Sequence, residues 1–310
     1  MTGDYGTENL PDLGRLRLLV ELHRLGTMAA VAASTGYGTS AVSKHLAVLE
    51  QEVGVRLLTP DGRRVQLTPA GERLVDHAVG ILAAVEEAQA ELRGTTEPVG
   101  RVRLASFYTA VEPVVLPALA RLRQRYPRVT VEVHEHEPEH TAALLRSGGI
   151  DLGVVYDYSL VPRAVPPELS ARPFEEQPLY LAVPAGLQAA GRPVAVSELA
   201  EFAETGWIAN SRGTDDDELV HRVCAIAGFV PRIAHRVDSL HLVNSLVGAG
   251  LGVALLARSG IERHRTDVAF RPLDPLAGMR RSSLLARAGQ WSWPPIAALA
   301  EAITDGYGRP

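Results

Sequence analysis

Apolar positions in the first quarter of the chain fall at helical intervals, broken at three glycines. Leu13, Leu16, Leu19, Val20 and His23 share a period that ends at Gly26, and Asp12 stands where a cap would accept the first free N–H groups. Thr27 caps a second, alanine-rich helix (Ala29, Ala30, Ala32, Ala33) that stops at Gly36. A third helix begins near Thr39 or Ser40 and runs to Val53, with Gly54 as its stop. Val42, Leu46, Leu49 and Val53 are spaced four, three and four apart, one buried stripe. Next, Leu57-Leu58 and the run from Val65 to Leu67 flank Asp61-Gly62, a hairpin turn signal. From Pro69 to Leu92 the helical period is unbroken. After the linker Arg93-Gly-Thr-Thr-Glu-Pro-Val-Gly100, short β-rich runs alternate with helical stretches, the pattern of an α/β domain.

Two helices joined by a tight glycine turn make a helix-turn-helix, a common DNA-reading unit. At 100° per residue, the face opposite Val42 carries Ser40, Lys44, Ala47 and Gln51, with Ser43 on its flank. Small side chains permit close approach to a major groove, and hydroxyl and ammonium donors suit base edges and phosphates. Thr39 stands at the start of this helix, and His45 projects nearer the buried side, which gives it a smaller share of the contact. Arg63 and Arg64 follow the hairpin turn, where a basic wing reaches phosphates or the neighbouring minor groove. Packed scaffold helices are the plain alternative to any single helix-turn-helix pattern. The order helix, helix, recognition helix, basic wing within seventy residues favours DNA reading.

In the long helix, Gly71, Ala78, Val85 and Leu92 occupy heptad position a, with Leu74, Ile81 and Ala88 at d. That seam suits self-association, which would set two recognition helices about a twofold axis over an interrupted palindrome. The competing expectation is a helix lying on its own domain.

Composition changes the picture modestly. The 310 residues are 46% hydrophobic and 22% charged, which excludes general disorder and suggests two domains or slightly more. No apolar run reaches the length of a membrane span, and residues 1–11 lack a basic, apolar leader, so a cytoplasmic chain is expected. One cysteine, Cys224, excludes an internal disulfide and any multi-thiolate zinc site. The net charge of −5 argues against a nucleic-acid partner until it is divided. Residues 12–73 hold eight basic and six acidic residues, a net of +2, and the remainder carries −7. The only lysine, Lys44, lies on the proposed groove face.

The run Gly26-Thr-Met-Ala-Ala-Val-Ala-Ala, then Ser40-Ala-Val-Ser-Lys-His-Leu, Leu49-Glu-Gln-Glu-Val-Gly-Val-Arg-Leu-Leu and Leu67-Thr-Pro-Ala-Gly71 resembles the LysR-type transcriptional regulators. The likeness continues through Arg101-Val-Arg-Leu-Ala-Ser-Phe, Leu116-Pro-Ala-Leu-Ala-Arg-Leu-Arg-Gln-Arg-Tyr-Pro, Val129-Thr-Val-Glu-Val and Leu144-Leu-Arg-Ser-Gly-Gly-Ile-Asp-Leu-Gly-Val-Val, and returns at residues 248–256. Gly38, Thr39 and Thr59 depart from the residues usual in that family.

The resemblance implies an α/β chain with an N-terminal all-α winged helix-turn-helix, a long linker helix and an effector domain of two subdomains like periplasmic binding proteins. The expected divisions are 1–70, 71–93 and 94–310, with subdomain I at about 101–165 and 270–305 and subdomain II at about 166–269. The crossings are expected near 157–169 and 267–272. It also implies a small-molecule effector in the cleft, and a helix N-terminus after the first strand would favour an anionic one. By position at strand ends the candidates are Ser106, Tyr108, Thr109, Glu137, Asn210, Ser211, Asp238 and Ser239. Thr109 and Glu112 form a capping-box pattern, while Pro113 marks an alternative helix start.

No nucleophile elbow, phosphate loop or zinc-peptidase motif occurs, so no catalytic residue, cofactor or metal is expected. His134 and His136 share a strand face, but a solvated edge is the better reading than a metal site. The remaining alternatives are a solute-binding protein, or an α/β enzyme, carrying an accessory helix-turn-helix.

Overall fold

Asp12 accepts the Arg15 N–H at 3.0 Å and opens α1 (Leu13–Leu25). Thr27 accepts from Ala30 at 3.2 Å ahead of α2 (Met28–Thr35), and α3 (Thr39–Val53) follows two residues after Tyr37. All three end in a left-handed glycine: Gly26, Gly36 and Gly54. The computed structural model describes residues 10–61, 64–92, 98–187, 193–210, 214–262 and 264–307.

Leu16, Leu19, Leu22, Val31, Val42, Leu46 and Leu49 close one core beneath these helices. Each such side chain contributes roughly 1.5–3 kcal/mol by leaving water. β1 (Leu58–Asp61) and β2 (Arg64–Leu67) form an antiparallel hairpin with Leu58 opposite Leu67 and Asp61 opposite Arg64. α4 (Pro69–Leu92) follows, as the period predicts. Its first half is not free. Val75 and Ala78 are buried in the helical core and Leu74 packs against it. Ala78 is spent inside its own chain, which corrects its expected place, and reduces that of Leu74, in a dimer seam.

The α/β region begins with β3 (Gly100–Ser106), parallel to both β4 (Val129–Glu135) and β5 (Leu152–Tyr158). α5 (Tyr108–Ala110), a π turn (Val111–Val115) and α6 (Leu116–Arg125) form one continuous connection between β3 and β4. The wide turn accommodates Pro113, which lacks the N–H an α-helical turn would require. α7 (Pro138–Arg146) joins β4 to β5.

β6 (Leu169–Pro184) then runs the length of the domain. Residues 169–178 pair with β11 (Met279–Arg287), while residues 179–184 pair with β9 (Ala254–Ala257) and β10 (Val268–Pro272). One strand therefore serves both subdomains. The chain crosses outward within β6 near Pro178 and returns between Pro272 and Met279, later than the crossings expected at 157–169 and 267–272. The first half of β6 carries no local mark of a subdomain I strand, because its partner β11 lies about a hundred residues away, beyond any local pattern.

The sheet order is β10–β6–β11–β5–β3–β4, with β9 also on β6. In the second subdomain β7 (Gly206–Asn210) lies parallel to β8 (Arg232–Val237), flanked by α8 (Thr214–Ile226) and α9 (Leu240–Gly248). α10 (Pro294–Thr304) returns to cover the first subdomain. Each subdomain has its own core, one around Leu104, Val154 and Leu299, the other around Leu181, Trp207 and Val223.

Candidate functional site

α3 divides cleanly by face. Val42, Leu46 and Leu49 are fully buried, whereas Thr39, Ser40, Ser43, Lys44, Ala47 and Gln51 are exposed. His45 is half-buried with its ring 5.4 Å from that of Tyr37. The exposed face presents two serine hydroxyls and an ammonium and no large apolar group. Arg15 binds Glu52 through two guanidinium contacts of 2.6 and 3.1 Å, tying α1 to the end of α3.

Sequence reasoning missed Glu50. Its Oε1 accepts the backbone N–H of both Leu57 (2.7 Å) and Leu58 (3.0 Å), fixing the hairpin to α3. Gly71 completes the joint, since a Cβ there would lie 2.3 Å from the Leu57 carbonyl oxygen. Arg63 lies outside the described residues, as does the side chain of Arg64; the backbone of Arg64 opens β2.

On α4, Ile81 is 44% exposed and Ala88 is exposed, with Val85 half-buried. The side chain of Leu92 lies outside the described residues.

A second site lies between the subdomains. Tyr108, Thr109, Glu137 and Asn210 line one cavity of about 50 Å³. Of the expected cleft residues, these four come together. Ser106 is turned inward, fully buried, its hydroxyl 3.3 Å from the Phe107 carbonyl. Ser239 caps α9 by accepting from Leu242 at 3.3 Å, and neither it nor Asp238 reaches the cavity. Ser211 lies outside the described residues. The capping box expected of Thr109 and Glu112 does not form, because Phe107 starts the helix. Thr109 Oγ1 instead accepts from Arg280 at 3.3 Å.

The strongest charges of the cavity escape sequence reasoning. Arg280, on β11, is 5% exposed and its guanidinium carbon sits 5.2 Å from the Phe107 ring and 5.6 Å from the Tyr156 ring. Opposite, the Tyr156 hydroxyl donates to Glu137 at 3.2 Å and the Tyr158 hydroxyl donates to Asp216 at 2.5 Å. Burial pushes both tyrosines above their ordinary range, so they remain donors. Burial also raises the Asp216 carboxyl to about 6, against the hydrogen bond from Tyr158, which lowers it. Asp216 stands in the run Asp215-Asp216-Asp217 at the start of α8, a visible acidic first turn that nevertheless gives no sign of which carboxylate faces the cleft.

Other candidates resolve simply. His134, near the end of the edge strand β4, and His136, just past it, stack with centroids 6.3 Å apart, and among the described residues no trio of metal-ligating side chains gathers. Cys224 is fully buried in the second core, and burial raises its thiol to about 12. No described helix is long and apolar enough to cross a membrane.

A winged helix-turn-helix carried by a long helix on a two-lobed α/β cleft domain defines a class of transcriptional regulator with an effector-binding body. Comparison with known proteins makes this specific. Residues 13–72 match the bacterial regulatory helix-turn-helix of the LysR family, and residues 95–308 match the LysR substrate binding domain. The chain belongs to the LysR family of transcriptional regulators. A "probable hydrogen peroxide-inducible genes activator" of Mycobacterium avium is 30% identical over 261 residues, covering 81% of this chain and 79% of that protein. A full-length OxyR variant of Pseudomonas aeruginosa shares the fold with a TM-score of 0.74 at 22% identity, covering 95% of this chain and 98% of that one. Full-length CbnR in complex with its target DNA has a TM-score of 0.54 at 22% identity, covering 95% and 99%.

Proposed function

We propose that the protein is a sequence-specific DNA-binding regulator whose affinity or geometry on DNA is set by a small molecule in the subdomain cleft. A homodimer, alone or paired as a tetramer, would place two α3 helices on an interrupted palindrome in the cytoplasm. Thr39, Ser40, Ser43 and Lys44 enter the major groove with His45 at its margin, and Arg63 and Arg64 contact the backbone from the wing. The observation that carries this reading is the division of α3, where a small, polar, basic face stands free opposite a fully buried stripe. Family membership supports it, and the relatives are regulators rather than enzymes or solute carriers.

Effector binding would shift an equilibrium between arrangements of the DNA-reading heads, a coupling typically worth about 1–3 kcal/mol. The peroxide response named for the Mycobacterium avium relative does not carry over through a thiol. Peroxide attacks thiolates, and Cys224 is enclosed, protonated and the only cysteine present.

Fluorescence anisotropy on the chain's own upstream DNA, against a scrambled duplex, tests the groove face. Lys44→Ala and Ser43→Ala are each expected to lose at least tenfold in affinity for the upstream duplex. Unchanged binding by both would remove the α3 face from the contact.

A further inference from the structure

A second hollow lies under α7, on the face of the first subdomain's sheet that this helix covers. Val155 of β5 points to that side, and Leu285 of β11 and Ala171 of β6 pair beside it. The helix meets the sheet closely at one place, where a Cβ on Gly153 would lie 2.4 Å from the Thr141 side chain. Next to that contact the side chains are short. Ala142 on the helix and Ala171 and Ser283 on the sheet do not bridge the space between the two layers, and about 200 Å³ stays open. The segment between β5 and β6 closes the far side with Val165 and Pro166.

The walls are apolar, and the charges at the rim are already matched. Asp157 accepts two guanidinium N–H groups of Arg281, at 2.8 and 2.9 Å, and the Arg163 backbone N–H at 3.3 Å. The Arg163 side chain donates to Asp215 at 2.5 Å. A charged ligand entering here would give up its water without meeting an unmatched counter-charge inside. Glu139, the remaining charge at the rim, is exposed, and a surface pair with it contributes little. A neutral ring loses nothing of this kind and gains dispersion contacts with walls that face empty space. The volume fits such a ring, since an apolar cavity of about 150 Å³ holds benzene.

We propose that this hollow is a second small-molecule site, taking an uncharged apolar molecule of about one ring, with room for a single hydroxyl beside Ser283. It is separate from the cleft, whose volume of about 50 Å³ is too small for a ring. Its position gives it leverage. Arg163 stands in the roof and its partner Asp215 lies in the first turn of α8, so a ligand under the roof bears on a contact between the two subdomains.

Thermal unfolding and titration calorimetry of the full chain near neutral pH test this, with phenol and toluene as probes and benzoate and benzylamine as charged controls of similar size. A ligand that binds only the folded chain raises the midpoint. The expected result is a raised midpoint with both probes, at one molecule per chain, and binding of both controls at least tenfold weaker. Ala142→Leu and Ala171→Leu, which fill the hollow, are each expected to weaken both probes at least tenfold while keeping native circular dichroism. Thr109→Val, in the cleft, is expected to leave them unchanged. If neither filled variant folds, Val165→Trp at the exposed rim provides the same comparison. A probe that gives no response, a charged control that binds as tightly as phenol, binding untouched in a folded filled variant, or binding lost in Thr109→Val overturns the proposal.

Discussion

At Glu50 one carboxylate oxygen satisfies two backbone N–H groups at the entry to the wing, and no other described side chain bonds those two groups. Removing it leaves two donors at a half-buried turn, at a cost of about 1–3 kcal/mol. Glu50→Ala is therefore expected to lower the unfolding midpoint and weaken DNA binding, with Glu50→Gln retaining part of both; differential scanning calorimetry and anisotropy read the two effects. Asp216 works in the other direction. Its folded carboxyl titrates near 6, above the unfolded value of 3.8, so the native state holds the proton more tightly. Its contribution favours folding below about pH 4 and is lost as pH rises through 6. Asp216→Asn is expected to stabilise the protein at pH 7–8 by about 2 kcal/mol, allowing for partial exposure, with the gain vanishing toward pH 4. A gain that persists at pH 4 would contradict the assignment. Residues of this kind divide by legibility. Thr109 and Glu137 could be placed because they follow strands, where α/β sheets bind ligands. Arg280 could not, because it reaches the cleft only through the pairing of β11 between β5 and β6, more than a hundred residues away in sequence.

Helices are more legible than strands for the same reason. α1, α2 and α3 follow from capping residues and a local period, and their bounds are those the pattern predicts. β6 defeats such reasoning, since its two halves are defined by different partners. α4 lies between these cases. Its extent is readable, but a heptad pattern does not say which neighbour covers it. The helical domain takes Val75 and Ala78, and Val79 packs so closely on the effector domain that a Cβ on Gly148 would lie 2.9 Å from it. Among the described seam positions, Ile81 and Ala88 are exposed and Val85 is half-buried. Ile81→Glu is expected to weaken or abolish the dimer in sedimentation equilibrium while changing stability by no more than about 0.5 kcal/mol, as an exposed position should. Ala78→Glu, which buries a charge, is expected to unfold the helical domain. A dimer unaffected by Ile81→Glu would move the interface elsewhere.

For the molecule as a whole, the charge division explains how an acidic protein can bind DNA. The net of −5 is the sum of a helical head at +2 and a remainder at −7. In the proposed reading, binding would depend on a few placed cations, Lys44, Arg63 and Arg64, with the symmetry of a dimer doubling each contact. Affinity should fall with salt, but with a slope set by those contacts rather than by bulk charge. Arg63→Ala with Arg64→Ala is expected to flatten that slope and weaken all sequences alike. The most direct measurement is a gel shift of the unaltered protein on its own upstream DNA across a salt series. A retarded species at low salt that prefers the upstream duplex over a scrambled one, and weakens steadily as salt rises, is the result predicted. No retarded species at low salt would contradict the account.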